Sequence, residues 1–223
     1  MDDKNIIKIL AFIKKKCIKD ELIILNQEMS LKYYENNKLN NKINKLSAKL
    51  NKKLSVNLGG LICVRNMKNL RSVHTLNLHG CKNTVDVSTL RSVHKLNLHC
   101  CYKIVDVSAL GNVHTLDLSN CGKIKDVSAL GSVHTLDLSS CRKITDISRL
   151  TNVHCLNLTH CIITHDIGHL RELRELEITS EVQGIHLLKK LTKLTINKYC
   201  SKKMLRRINK LKIINPTIEI KFT

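Results

Sequence analysis

The sequence predicts an α/β solenoid: a curved, right-handed array of about eight short units, with parallel strands on its concave face, a helical segment ahead of it and a helix and edge strand closing it. Three observations carry the prediction. Written in rows of 20 from Arg71, the chain falls into register over five tandem rows. Each row contains Leu-x-Leu, the period-two pattern of a strand with one buried face. The apolar residues are almost wholly aliphatic, with no Trp and only two Phe, which suits thin stacked layers better than a globule.

The columns are explicit. Val73, Val93, Val113, Val133 and Val153 share one. Leu76, Leu96, Leu116, Leu136 and Leu156 share the next, followed by Leu78, Leu98, Leu118, Leu138 and Leu158. Cys81, Cys101, Cys121, Cys141 and Cys161 form a fourth column, and Asp86, Asp106, Asp126, Asp146 and Asp166 a fifth. Leu90, Leu110, Leu130, Leu150 and Leu170 close the rows. The resulting frame, Val-His-x-Leu-x-Leu-x-x-Cys-x-x-Ile-x-Asp-Val-Ser-x-Leu, resembles the leucine-rich repeat, and its Cys column resembles the cysteine-containing subclass of that family.

The elements follow in chain order. Residues 1–50 do not repeat and read as two or three short amphipathic helices, one with Ile6, Ile9, Leu10 and Ile13 on its apolar face, another with Leu22, Leu25 and Met29 after Asp20. Such a segment can cap the first repeat. Its order of Ile-Leu, Asp-x-Leu, Met-Ser and Tyr34 also resembles a degenerate F-box. That resemblance implies that Ile9, Leu10, Leu22, Leu25 and Met29 face the adaptor subunit of a cullin ubiquitin ligase while the repeats recruit substrate. Residues 51–223 form the solenoid. A degenerate first unit places Val56, Leu58, Leu61, Met67 and Leu70 on the columns. Leu173/Leu176/Ile178 and Leu191/Leu194/Ile196 continue the strand frame at a spacing shortened to 18. The amphipathic stretch KKMLRRINKLK and the final IEIKF read as the closing helix and edge strand. A 20-residue row is short for a leucine-rich repeat, so the return side is expected to hold 3₁₀ turns or extended chain, with each Asp capping a short turn.

The repeated His and Cys raise the question of metal or redox chemistry. A zinc site needs ligands converging on one point, usually from close Cys-x-x-Cys pairs. A 20-residue spacing instead strings them along an axis, one per layer. The Cys column therefore reads as buried scaffold, with Cys100 alone turned outward beside Cys101. His74, His94, His114, His134 and His154 are expected to form a ladder of neutral, mutually hydrogen-bonded imidazoles about 5 Å apart, loosening below about pH 6. No glycine-rich phosphate loop, nucleophile elbow or paired acidic motif is present. The expectation is a non-enzymatic protein with no metal and no cofactor.

Binding is expected on the concave face, at the positions flanking the strand leucines. These are Thr75, Asn77 and His79; Lys95, Asn97 and His99; Thr115, Asp117 and Ser119; Thr135, Asp137 and Ser139; Cys155, Asn157 and Thr159; then Glu175, Glu177 and Thr179. A solenoid's concave face is the default surface for a protein partner. A basic loop stripe of Lys103, Lys123, Arg142 and Lys143 is a second candidate surface, for an acidic partner, and reads first as a solvated edge. The charged strand region of Arg171, Glu172, Arg174, Glu175 and Glu177 reads as a solvated face.

The formal charge of +20 lies mainly at the two ends: residues 1–70 carry 15 Lys/Arg against 6 Asp/Glu, and residues 171–223 carry 13 against 5. The scarcity of aromatic side chains for stacking and the lack of a known motif argue against nucleic-acid binding. No stretch approaches the roughly 18 apolar residues of a membrane span, and the N-terminus does not read as a signal peptide. A cytoplasmic protein with reduced thiols is the expectation. The tandem VHTLDLS phrasing and Asn/Lys/Ile-rich composition resemble leucine-rich repeat proteins of giant amoeba-infecting viruses, which implies partners among host cytoplasmic proteins.

Overall fold

The computed structural model describes residues 2–16, 21–61, 64, 67–163 and 166–223. Ten strands form one parallel sheet in chain order: β1 (Leu22–Ile24), β2 (Lys53–Asn57), β3 (Thr75–Asn77), β4 (Lys95–Asn97), β5 (Thr115–Asp117), β6 (Thr135–Asp137), β7 (Cys155–Leu158), β8 (Glu175–Ile178), β9 (Lys193–Ile196) and β10 (Glu219–Phe222). Helices α1 (Asp3–Lys16), α2 (Gln27–Glu35) and α3 (Asn37–Lys49) precede the repeats, and α4 (Lys202–Ile214) lies between β9 and β10.

Pairing follows the columns. Leu76 is opposite Leu96, then Leu116, Leu136, Leu156 and Leu176 across successive strands. The shortened spacing is absorbed without a slip, with Leu176 opposite Leu194. Each of these leucines is at most 2% exposed, so the sheet buries one continuous aliphatic face. At about 1.5–3 kcal/mol for each large side chain buried, this face is the main source of stability.

The strands are short because the chain must turn at the same place in every row. The residue before each column cysteine sits in the left-handed region: Gly80, Cys100, Asn120, Ser140 and His160 have φ between 59° and 66°. Gly and Asn adopt this conformation readily, whereas Cys, Ser and His do so at some cost. Each cysteine then turns inward. The Sγ of Cys81, Cys101, Cys121, Cys141 and Cys161 donates to the carbonyl of Leu58, Leu78, Leu98, Leu118 and Leu138, at 2.9–3.2 Å. The column thus stitches each turn to the preceding row. Burial pushes the Cys101 and Cys141 thiols up to about 12 and Cys161 up to about 11, so they stay protonated donors.

On the return side, 3₁₀ turns span Ser88–Leu90, Ser108–Leu110 and Ser128–Leu130. The carboxylates of Asp86, Asp106, Asp126 and Asp146 each accept the backbone N–H of the serine two residues on, at 2.8 Å. The aspartates sit one residue ahead of the valine at the formal cap, so they shape the entry to the turn as Asx bridges. Hydrogen bonds to Ser88, Ser108 and Ser128 hold Asp86, Asp106 and Asp126 below the usual carboxylate range.

The first fifty residues depart from the expected run of helices. Leu22–Ile24 is a strand paired with Lys53–Ser55, and the N–H of Leu25 donates to the Ser55 carbonyl at 3.0 Å. Two adjacent β-branched isoleucines favour extended chain, and the unpaired edge of β2 supplies a partner. Alternation then buries Ile23 and leaves Ile24 exposed. Leu22, Leu25 and Met29 therefore do not share one helical face; Asp20, expected to open that helix, lies outside the described residues. Ser30 ties α2 to the sheet, its hydroxyl donating to the Leu25 carbonyl and accepting the N–H of Asn57. The Asn40 side chain on α3 donates to the Asn69 carbonyl. At the other end, α4 buries Met204, Ile208 and Leu211 and the Asn215 side chain donates to the Leu191 carbonyl. No helix among the described residues is long and apolar enough to cross a membrane.

Two of the five rows depart from the isoleucine column, with Thr84 and Thr164. Thr84 stands where the three middle rows carry Ile104, Ile124 and Ile144; it is fully buried and, among the described residues, its hydroxyl has no partner. Replacing Thr84 with Val removes an unsatisfied polar atom at nearly constant volume. We expect a gain of about 1–2 kcal/mol in denaturant unfolding; a loss of stability would show that the hydroxyl is satisfied in solution.

Candidate binding surface

The open face of the sheet carries three outward columns in parallel register. Thr75, Lys95, Thr115, Thr135, Cys155 and Glu175 occupy the first, and Asn77, Asn97, Asp117, Asp137, Asn157 and Glu177 the second. His79, His99, Ser119, Ser139, Thr159 and Thr179 follow just beyond the strands. The structure divides their roles.

The second column is committed to the fold. The side-chain oxygen of Asn77, Asn97, Asp117, Asp137 and Asn157 accepts the N–H of the residue two positions on, at 2.8–3.0 Å. Asn57 and Asn197 do the same at either end. This Asx geometry bends the chain out of each strand, so these residues are turn formers first and surface second. Only Asn or Asp fills the column from β2 to β7, a regularity that sequence reading passed over by treating the column as variable. Ser119 also leaves the expected surface: it is 6% exposed, covered by His99, whose Nδ1 lies 2.6 Å from its Oγ.

The first column is free of such duties. Lys95 and Glu175 are exposed and Thr75, Thr115, Thr135 and Cys155 half-buried. A shallow hollow of about 260 Å³ lies over β6 to β8, lined by Thr135, Asp137, Cys155, Asn157, Glu175 and Glu177 among others. Charge along the face is graded. His79, Lys95 and His99 lie on the early rows, and Asp117, Asp137, Glu175 and Glu177 on the later ones. Glu175 has Lys193 at 3.8 Å and Asp137 receives the Asn157 amide at 3.2 Å.

The histidine ladder flanks this face. Consecutive rings from His74 to His154 lie 4.4–4.7 Å apart, mostly stacked. They stack and do not hydrogen-bond to one another as the sequence suggested: Nδ1 of His74, His114 and His134 instead lies 3.2–3.3 Å from the hydroxyl of the following threonine. Their backbone continues the sheet, with His94 N–H donating to the His74 carbonyl and so on up to His154. Burial first, then neighbouring positive charge, holds His74, His94 and His134 below the usual histidine value; the charges are Lys53, Lys95, adjacent histidines and, for His134, Arg174. Among the described residues, no group of three or more His, Cys, Asp and Glu is placed to hold a metal ion.

In the N-terminal segment, Leu25 is buried, and Ile9, Leu10 and Met29 are partly buried against the core. Leu22 is half-buried on β1. Among the described residues, the exposed large apolar side chains there are Ile7, Phe12, Ile24 and Leu50. Leu25 is thus removed from any adaptor-facing set, because its side chain fills the layer beneath β1 and β2. Lys103, Lys123, Arg142 and Lys143 are exposed on the loops, and Lys103 Nζ bonds the Asn83 side chain at 2.8 Å.

The fold is that of a leucine-rich repeat solenoid. Among solved structures, an internalin from Listeria monocytogenes is similar, with a TM-score of 0.56 and 19% identity over 77% of this chain and 54% of the internalin. The chain thus spans about half the length of that neighbour. A plant peptide hormone receptor, RGFR1 in complex with RGF2, aligns over 68% of this chain and 32% of its own, at 12% identity and a TM-score of 0.35. No protein-family model and no curated protein matches the sequence.

The ladder makes stability depend on pH. Unfolded histidines titrate near 6.5, and His74, His94 and His134 lie below that in the folded chain. The unfolded state therefore takes up more protons as pH falls through that value, so stability is complete above it and declines below it. We expect Tm to fall from about pH 7.5 to about pH 5.5, and a His94→Gln/His134→Gln double variant to lose much of that slope. The aspartates, held low, remain ionised throughout. A Tm equal at both pH values would refute the effect.

Proposed function

We propose that this protein is a non-enzymatic binding scaffold that holds a protein partner along the open, concave face of its sheet. The observation that carries the reading is the first outward column. Thr75, Lys95, Thr115, Thr135, Cys155 and Glu175 stand in register on a rigid sheet, yet they close no turn and fill no core. Side chains on an ordered surface that form no turn and fill no core can determine what binds without endangering the fold.

The charge gradient supports a partner of defined chemistry. Asp117, Asp137, Glu175 and Glu177 gather on the later rows of a chain whose formal charge is +20. A basic segment of a partner, seated over β5 to β8, matches that surface, and complementary potential would both steer it and set its register. In this reading the partner is a host cytoplasmic protein, as the sequence resemblance implies. Residues 1–50 act as the cap of the first repeat: the burial of Leu25 and the contacts of Ser30 and Asn40 favour this role over an adaptor-binding F-box.

The test is capture from a eukaryotic cytosol with the full chain and with a Thr115→Arg/Glu175→Lys variant, partners being identified by mass spectrometry and confirmed with purified protein. Both substitutions lie in the uncommitted column, so melting should change by no more than about 0.5 kcal/mol. A partner bound through the face should lose at least about tenfold in affinity. An identical set of partners at unchanged affinity would move the binding site off the strand face. Recovery of a cullin and its adaptor that depends on α1 would overturn the capping role.

A further inference from the structure

One row differs from the rest in chemistry. At the turn after β4 the chain reads His99-Cys100, whereas the same two positions hold His79-Gly80, Ser119-Asn120, Ser139-Ser140 and Thr159-His160 in the other rows. The His-Cys pair is therefore not part of the repeat frame. Unlike the buried column cysteines, Cys100 is partly exposed and free, and it is held at φ 59°, which turns its side chain away from the core side taken by Cys101.

Four side chains form a relay there. Ser119 Oγ donates to Asp117 Oδ1. With its proton so used, Ser119 Oγ accepts from His99 Nδ1 at 2.6 Å. That assigns the His99 tautomer: Nδ1 carries the hydrogen, and the lone pair on Nε2 faces Cys100 Sγ at 3.1 Å. The His99 ring is further fixed by stacking on His79, at 5.0 Å and 10° between planes. Tyr102 is exposed on the same turn. A nucleophile, a base in reach of it and a third group orienting the base is the arrangement that activates a thiol.

We propose that Cys100 is an activated thiol and the site at which this protein is modified by low-molecular-weight disulfides. His99 Nε2 takes the proton from Cys100 Sγ. The thiolate forms a bond to one sulfur of the disulfide as the S–S bond breaks, and the departing thiolate is protonated from the His99 imidazolium. One thiol and one disulfide become one mixed disulfide and one thiol, with no further oxidant required. The adduct projects beside His99 and the His79 ring stacked on it, at the end of the early rows of the strand face.

The described partly exposed thiols Cys155 and Cys200 provide internal references. Cys155 lies next to Glu175, and burial followed by that carboxylate raises its thiol above the usual value. The experiment treats the native full chain with dithiodipyridine, quenches at intervals and maps each modified cysteine by mass spectrometry between about pH 5 and 9. Cys100 is expected to react at least about tenfold faster than Cys155 or Cys200 near pH 6. His99→Gln should bring the Cys100 rate at that pH down to the Cys200 level, and Ser119→Ala should lower it as well, whereas Cys100→Ser should leave the other rates unchanged. Equal rates at Cys100 and Cys200 in the unsubstituted protein would overturn the proposal. That comparison needs no substituted chain, so poor folding of a variant cannot mask the outcome.

Discussion

Parallel pairing that keeps the leucines opposite one another, at an offset of 20 residues from β2 to β8, is the constraint on which the molecule depends. Leu76, Leu96, Leu116, Leu136 and Leu156 meet across five strands because each row returns the chain to the sheet after 20 residues. A strand that slipped by one residue would turn both of its leucines to solvent. The neighbouring rows would lose half of their buried contacts at the same time. The turn chemistry serves this offset: an Asx bridge leaves the strand, a left-handed residue reverses the chain, a thiol ties the turn to the row behind, and an aspartate opens the 3₁₀ return. None of these devices is strong alone, at about 1 kcal/mol for a typical hydrogen bond, but they recur along the 20-residue rows.

The same economy explains why polar and reactive residue types can repeat without chemistry. Five thiols in a column look like a metal or redox surface until each is seen donating to a leucine carbonyl in a layer of its own. Five histidines look like a ligand ladder, yet their rings lie flat on one another and charging them costs repulsion of about 0.9 kcal/mol per adjacent pair even at water's dielectric. Departures from the frame, and not its repetition, are where distinct chemistry resides. Thr84, buried without a partner, and the His99-Cys100 pair are both departures.

Much of the fold was legible because leucine columns report burial directly, and a fixed period leaves little freedom in topology. The closing helix and strand were legible for the same reason, as Leu191, Leu194 and Ile196 keep the frame to the end. The surface was less so. Asn77 and Thr75 flank the same leucine and look equivalent on paper, but the carboxamide of Asn77 reaches the N–H of His79 and is consumed by the turn, while Thr75 is not. Ser119 looked exposed from its position and is covered by a histidine one row away, a contact between rows that a periodicity argument does not contain. Leu22 to Leu25 misled for a related reason: a short apolar run fits a helix or a strand equally well, and only the open edge of β2 decides between them.

The most direct test of this account is to delete residues 117–136, one complete period, and compare the product with a deletion of 117–135. The first joins Leu116 to Asp137 and preserves Leu-x-Leu; the second places Leu116 against Leu136 and slips the strand by one. If offset governs the fold, the first protein keeps a single cooperative unfolding transition and a far-UV spectrum of the same shape, while the second loses cooperativity. Equal folding of the two would contradict the account, because the leucine columns would then not be what holds the rows together.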